Sequence, residues 1–232
     1  MKYVFSIFLI LLVISCDKHD DEFVYSYKIT TVNRTPSDYI QDSIIYYYDN
    51  QDRLLKLAKC TSGYSNLDSY PHYNGDRIEL NGKQYVLDSN HRVDSLIHDS
   101  DAFDCYSYEN NYLVHESSII NNSVEAEHFY TYSDGAILKD SGIYNEQYIT
   151  VYHHTCTDTL TPHFMIHHTG LKEYPPKSKY LIRESTAPEA GIKDIRSYVI
   201  EENELTVFIK TIDTFHNDTV DLVSTKYYYE EG

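Results

Sequence analysis

The sequence predicts a single all-β domain: one large twisted antiparallel meander, an open sheet or an open barrel, built from hairpins. Three observations carry that expectation. Short alternating runs rich in Tyr, Ile, Val and Thr are broken by Asp, Asn, Gly and Ser throughout the chain. One strand, turn and strand unit returns again and again, and helical periodicity is scarce. No Gly, Pro or Ser-rich linker divides the chain after its first two dozen residues, so 23–232 reads as one unit.

Taken in order, Val24 to Val32 is the first strand, and Ser37 to Gln41 is a short helix candidate. The clearest unit follows: Tyr46-Tyr47-Tyr48-Asp49-Asn50-Gln51-Asp52-Arg53-Leu54-Leu55. Tyrosines at i and i+2 fall on one face of a strand, and Asp, Asn and Gly tolerate the left-handed backbone that a tight hairpin requires. The same order of residues returns from Tyr85, Tyr106, Tyr130 and Tyr198, with a shorter copy at Tyr73-Asn74-Gly75-Asp76-Arg77-Ile78. Asn74-Gly75 and Asp134-Gly135 are the strongest turn signals. Full units start at 46, 85, 106, 130 and 198, a spacing too irregular for a propeller or solenoid with one fixed period. Only half a unit, Tyr227-Tyr228-Tyr229-Glu230-Glu231-Gly232, closes the sequence.

Between the copies at 130 and 198, strands are expected at Gln147 to His153, His163 to His168 and Lys179 to Arg183. Prolines at 162, 175, 176 and 188 mark the loops. A second short helix candidate spans Ala187 to Asp194. Strands at Thr206 to Ile212 and Leu222 to Tyr229 complete the reading.

Composition narrows the partners. With 41% hydrophobic and 24% charged residues the chain can bury a core, which excludes a disordered or collagen-like polymer. Acids outnumber bases 36 to 19, giving a net charge of −17. Such a surface repels phosphate backbones and anionic headgroups, so no nucleic-acid partner is expected. Cations, cationic peptides and neutral sugars fit it.

The N-terminus reads as an address. Tyr3 to Ile14 is apolar except for Ser6, too short to span a bilayer as a helix and suited to the centre of a signal peptide. Leu12-Val13-Ile14-Ser15-Cys16 resembles a bacterial lipobox, which implies cleavage after Ser15 and a diacylglycerol on the Cys16 sulfur. Residues 1–15 are then the signal peptide and 16–22 a charged, solvated tether, Asp17-Lys18-His19-Asp20-Asp21-Glu22 after the cysteine. That run is similar to the acidic export signal of Bacteroidetes-type lipoproteins, implying an outer-membrane lipoprotein on the cell surface. The sorting rule of enterobacterial lipoproteins would instead read Asp17 as retention at the inner membrane. Both place the domain outside the cytoplasm.

At Tyr46-x-Tyr48-Asp49-x-x-Asp52-Arg53-Leu54 the chain resembles the YD repeat of Rhs-like and bacterial cell-surface proteins, with Asp52 where that pattern has glycine. Together with the N-terminus, the chain resembles uncharacterised Bacteroidetes-type surface lipoproteins with YD-like β-hairpins. That resemblance implies a fold and an address, and no catalytic residues.

Chemistry is sparse. Cys60, Cys105 and Cys156 remain after Cys16, an odd set with no C-x-x-C. Histidines gather in His153-His154-x-Cys156, His163 and His167-His168; a zinc site there would use His154, Cys156, His163 and His167. Alternation places His153 and His154 on opposite faces, so the whole set cannot meet one ion, and exposed imidazoles are the competing reading. Asp99, Asp101 and Asp104 offer oxygens for calcium but lack the glycine and terminal glutamate of an EF-hand loop. No cofactor is otherwise indicated, and no G-x-S-x-G, P-loop or G-x-G-x-x-G is present. The 25 tyrosines either line a sugar or peptide site or stabilise the sheet through cross-strand pairs. Four tripeptides beginning at Asp42, Asp94, Asp158 and Asp218 resemble the O-glycosylation sequon of exported Bacteroidetes-type proteins.

The expectation is therefore a lipid-anchored, non-enzymatic binding or interaction module for a glycan, peptide or protein ligand. An envelope glycan hydrolase with paired carboxylates, and an acidic immunity or inhibitor protein against a basic toxin, are the alternatives.

Overall fold

The computed structural model describes residues 24–34, 40–61, 67–144, 148–162, 170–174 and 178–232. The all-β expectation holds: the described residues form one 17-stranded antiparallel meander. Its first strands are β1 (Tyr27–Arg34), β2 (Ile40–Tyr48), β3 (Leu54–Thr61), β4 (Leu67–Ser69), β5 (His72–Asn74) and β6 (Arg77–Leu80). Next come β7 (Lys83–Leu87), β8 (Val93–Ile97), β9 (Ala102–Glu109), β10 (Tyr112–Ile120), β11 (Ser123–Ser133) and β12 (Ala136–Tyr144). The last are β13 (Tyr148–Leu160), β14 (Tyr180–Ala187), β15 (Ile192–Ile200), β16 (Glu204–Asp213) and β17 (Asp218–Glu231).

Each strand except β4 pairs with the next, and β17 returns to pair with β1 along Tyr27↔Glu231 to Arg34↔Ser224. The sheet thus curls round on itself, but it is not a closed barrel. β4 pairs with β3, and β5 with β6, with no register between β4 and β5 among the described residues. The antiparallel registers make β4 and β5 run the same way, so one strand changes partner at Tyr70-Pro71. Proline lacks the N–H a ladder needs, which suits it to that seam.

This topology explains the irregular spacing of the repeat. Every unit is a strand, a turn and the returning strand, so all of its turns lie on one rim. The copy at Tyr73 fills the gap between 46 and 85, and the long β13–β14 connection replaces a turn between 130 and 198. The closing half unit is completed in space by β1, which pairs with the strand carrying Tyr227 and Tyr229.

The turns are built alike. Asp49 Oδ1 accepts the N–H of Gln51 and Arg53 at 2.8 and 3.0 Å, while Oδ2 accepts Arg53 Nε at 2.8 Å. Asp88 repeats this with Asn90, Arg92 and Arg92 Nε at 2.8, 2.9 and 2.9 Å. These bonds hold both carboxyls below the ordinary aspartate range, against a burial effect that pushes the other way. Asp134 and Gly135 have φ of 51° and 84°, as a type I′ hairpin turn requires.

Two helix expectations do not survive. Ile40 and Gln41 open β2, while 37–39 lie outside the described residues. Within Ala187 to Asp194 only a 3-10 turn forms, Pro188–Ala190, ended by Gly191 in the left-handed region. The strand pairing of Ile192 to Ile200 with β16 outweighs the weak local helical preference. The signal segment, Cys16, the acidic tether and the strand expected at His163 to His168 also lie outside the described residues.

Alternation sends one residue in two to the inside, and the unit tyrosines go there. Tyr46, Tyr48, Tyr85, Tyr106 and Tyr130 are buried in one continuous core, with Tyr73, Tyr108, Tyr132, Tyr198, Tyr227 and Tyr229 packed against it. The β13–β14 connection corks the middle of this ring. Leu171 is fully buried, and Tyr174 stands edge-on to Tyr85 and Tyr106 with ring centroids 6.2 and 5.4 Å apart. Gly170 has φ +73°, and a Cβ there would lie 2.2 Å from Tyr46 Cδ1. Tyr48 Oη donates to the Gly170 carbonyl at 2.7 Å, and Val93 N–H to the Glu173 carbonyl at 3.1 Å.

The outer face carries charged pairs, and on β2 and β3 also a small buried cluster of Ile45, Tyr47 and Ala58. Lys28–Glu230, Lys56–Asp68, Glu184–Lys193, Lys226–Glu204 and His115–Glu127 pair across its strands.

Candidate functional site

Among the described residues, only the half of the inner face next to the turn rim is corked. Toward the opposite rim the inward positions turn polar, and following each strand inward by twos from its tyrosine finds them. Asp104 lies two residues from Tyr106, His128 two from Tyr130, and Arg196 and Asp194 two and four from Tyr198. The registers place these side chains on the core's face of the sheet: Glu116 opposite Tyr106 and His128, Asp140 opposite Tyr130, Tyr152 opposite Asp140.

These groups pair along the wall. Ser118 Oγ donates to Asp104 Oδ1 at 2.7 Å, and His98 Nε2 meets Asp104 Oδ2 at 2.7 Å. Tyr130 Oη donates to Glu116 at 3.0 Å; burial first, and then that carboxylate, push the phenol up, so it stays protonated. His128 lies 3.5 Å from Asp140 and 3.0 Å from Tyr144 Oη. Further round, Tyr152 stacks on His154 at 6.5 Å, and His154 Nδ1 meets Ser185 Oγ at 2.9 Å. Arg196 donates to the same Ser185 oxygen and faces Asp194 at 3.7 Å, which also accepts Thr211 Oγ1 at 2.7 Å.

Donor counting fixes one of these bonds. Arginine only donates, so Ser185 accepts from Arg196, and the direction of its bond to His154 Nδ1 follows the imidazole tautomer. Ser185 is 2% exposed with its oxygen engaged by Arg196 and His154. Arg196 and Asp194 keep 21% and 22% of their side-chain surface, and His128 and Asp140 keep 27% and 24%. Half-buried donors and acceptors interleaved with aromatic rings suit reversible binding of a polar ligand.

Of the residues expected to hold zinc, His154 and Cys156 come together on the inner face of β13. His154 is bonded to Ser185, and the Cys156 thiol points at Ile137 O and Ser178 Oγ, 3.6 and 3.8 Å away. His163 and His167 lie outside the described residues, among which no group of three metal-binding side chains gathers. Cys105 and Cys156 are free thiols. Asp104 turns to Ser118 and His98, while Asp99 Oδ1 caps the Asp101 N–H at 2.9 Å, so this acidic loop is occupied by its own turn. Arg196, Asp140, His128 and Tyr144 drew no notice in the sequence; the signal was their phase relative to the unit tyrosines.

No protein-family model and no curated protein matches the chain. Solved structures do. A porin-like protein from Bacteroides uniformis aligns over 88% of this chain and 96% of its own at 12% identity, with a TM-score of 0.62. A porin-like protein from Bacteroides vulgatus aligns over 87% and 97% at 9% identity, with a TM-score of 0.50. At such identities the likeness is one of fold.

Proposed function

We propose that this chain is a cell-envelope lipoprotein, anchored through Cys16 at the outer membrane and exposed at the cell surface. In this reading its β domain is a non-enzymatic module that binds a glycan or peptide ligand on the polar inner wall. One observation carries the reading: among the described residues, the 170–174 segment fills the inner face at the turn rim and no other segment lies across it. The other end keeps half-exposed Asp, His, Arg and Tyr side chains in fixed pairs.

The outer face supports a lipid tether over a bilayer-embedded wall. A membrane-spanning barrel presents an apolar band outward, and mid-wall charge is costly there. Here Lys226 with Glu204 and His115 with Glu127 stand on that face as partly exposed charged or polar pairs. The lumen is also the reverse of an aqueous channel, since tyrosine and leucine fill its corked half. In this reading the membrane affinity comes from acyl methylenes on Cys16.

Expressing the full chain in a Bacteroides host fed a palmitate analogue tests this. Labelled protein in the outer-membrane fraction, shaved by external protease, is expected, with label lost in Cys16→Ser. Unlabelled wild-type chain, or labelled chain confined to the inner membrane, would sink the proposal.

A further inference from the structure

The five residues 170–174 belong to no strand, yet they fill the inner face at the turn rim. Their departure from the ring would break no ladder bond. They are held by the burial of Leu171 and Tyr174 and by hydrogen bonds from the wall, among them Tyr48 Oη to the Gly170 carbonyl and Val93 N–H to the Glu173 carbonyl.

Between those two apolar anchors sits a carboxyl group. Among the described residues, Glu173 Oε2 is buried with no hydrogen-bond partner, and so is Tyr73 Oη on β5, which the Leu54 N–H approaches without bonding. Glu173 bears electrostatically on Tyr73 and on Tyr48 of β2. A carboxylate ion in such a place is far costlier than the neutral acid, because no donor replaces the water it has lost. Lys172, next in the chain, does not compensate it. Its ammonium lies 5.8 and 5.4 Å from the ring centroids of Tyr27 and Tyr48, and the carboxylate acting on it is Asp52. The titratable groups facing Glu173 are therefore Tyr73, Tyr48 and His91, from β5, β2 and the turn before β8, with Arg53 and Asp49 acting on Tyr73 behind them. Tyr85 and Tyr106 meet Tyr174 instead.

We propose that 170–174 is a proton-latched plug: with Glu173 neutral it seats in the tyrosine ring, and with Glu173 ionised it withdraws and opens the turn-rim half of the inner face. Burial, the largest influence, pushes the Glu173 carboxyl above the ordinary glutamate range, while its own N–H and His91 pull less strongly the other way. The seated form thus holds the proton more tightly than the withdrawn one. Seating is complete below the ordinary glutamate pKa and weakens as pH rises through the raised value. Withdrawal uncovers Tyr46, Tyr85 and Tyr106 on the same inner face as the polar wall. Nothing in this device depends on what that wall binds.

Hydrogen exchange of the full chain in detergent, read at the Val93 N–H and across 170–174, tests the latch against Glu173→Gln, whose side chain keeps the shape and has no proton to lose. Intrinsic exchange chemistry and Lys172 are common to both chains. Between the ordinary glutamate value and the raised one, opening in wild type is expected to grow about tenfold per pH unit relative to the variant, the linkage of one proton. Tyr73→Phe removes the second stranded oxygen and should keep that slope. Carbon-13 NMR of the Glu173 side chain, which needs no variant to fold, should show a neutral carboxyl while the segment is protected. Wild type and Glu173→Gln opening in parallel at every pH, or an ionised Glu173 in a protected segment, overturns the latch.

Discussion

The two halves of the inner face share the same strands and the same alternation, yet one is a core and the other a polar wall. Near the turn rim, inward tyrosines meet Leu171 and Tyr174, which the β13–β14 connection carries across the lumen from Ile137 to Tyr46. Near the other rim, Asp104, Glu116, Asp140 and Asp194 face inward from the same strands. The difference teaches that alternation settles which residues point inside, while a filling segment settles whether the inside is dry. β13 is the exception that makes this work. Where other strands of its direction carry inward tyrosines before the turn, it carries His154 and Cys156 and runs on to Leu160, and a long connection stands in place of its turn.

The largest effect expected from breaking this contrast is in the cork. Tyr174→Ala or Leu171→Ala should cost about 3–5 kcal/mol by emptying the ring's centre, read by denaturant unfolding; a loss under about 1 kcal/mol would mean the ring packs without its cork. Gly170→Ala adds a Cβ at positive φ against the Tyr46 ring and should cost at least about 1 kcal/mol; wild-type stability would refute that close approach.

Smaller effects come from the tethers on the corked side. Tyr108 Oη donates to Val93 O at 2.8 Å and Tyr132 Oη to Leu113 O at 2.7 Å, each reaching back toward the start of an earlier strand. Removing either hydroxyl with Phe should cost about 1 kcal/mol and leave the fold intact by circular dichroism. Burial raises both phenols above their usual range, so each remains a donor at neutral pH. On the polar side, Thr211→Val should change stability by less than about 1 kcal/mol, because Asp194 keeps Arg196 beside it. A loss as large as that of Tyr174→Ala would erase the distinction between the halves.

The turns give a pH test. Asp49 and Asp88 titrate lower in the folded chain than unfolded, so their contribution is present above the ordinary aspartate pKa and is lost as pH falls through the folded values. Asp88→Asn should flatten part of the acid limb of a stability–pH curve measured in dilute salt. An unchanged limb would assign it to other carboxylates.

Much of the fold was legible because its signals are local. Tyr at i and i+2 before Asp, Asn or Gly specifies a hairpin with its rings on one side, and Asp49 with Arg53 shows why that pair recurs in the unit. The helix expected near Pro188 was overruled by pairing with β16, which no local window contains. The site was less legible. Asp140 and Arg196 look like any surface charge until the register relates them to Tyr130 and Tyr198, and the bulges between Thr131 and Tyr132 and between Thr155 and Cys156 shift that phase.

By itself, the sequence determined the all-β class, the hairpin turns and the one-sided placement of the tyrosines, since each depends on backbone preferences and a two-residue period. Only the tertiary structure decided that β17 pairs with β1, that Pro71 marks a seam, and that 170–174 fills the inner face at the turn rim. Those are pairings and contacts between residues far apart in the chain, and their energies exist only once the sheet has curled.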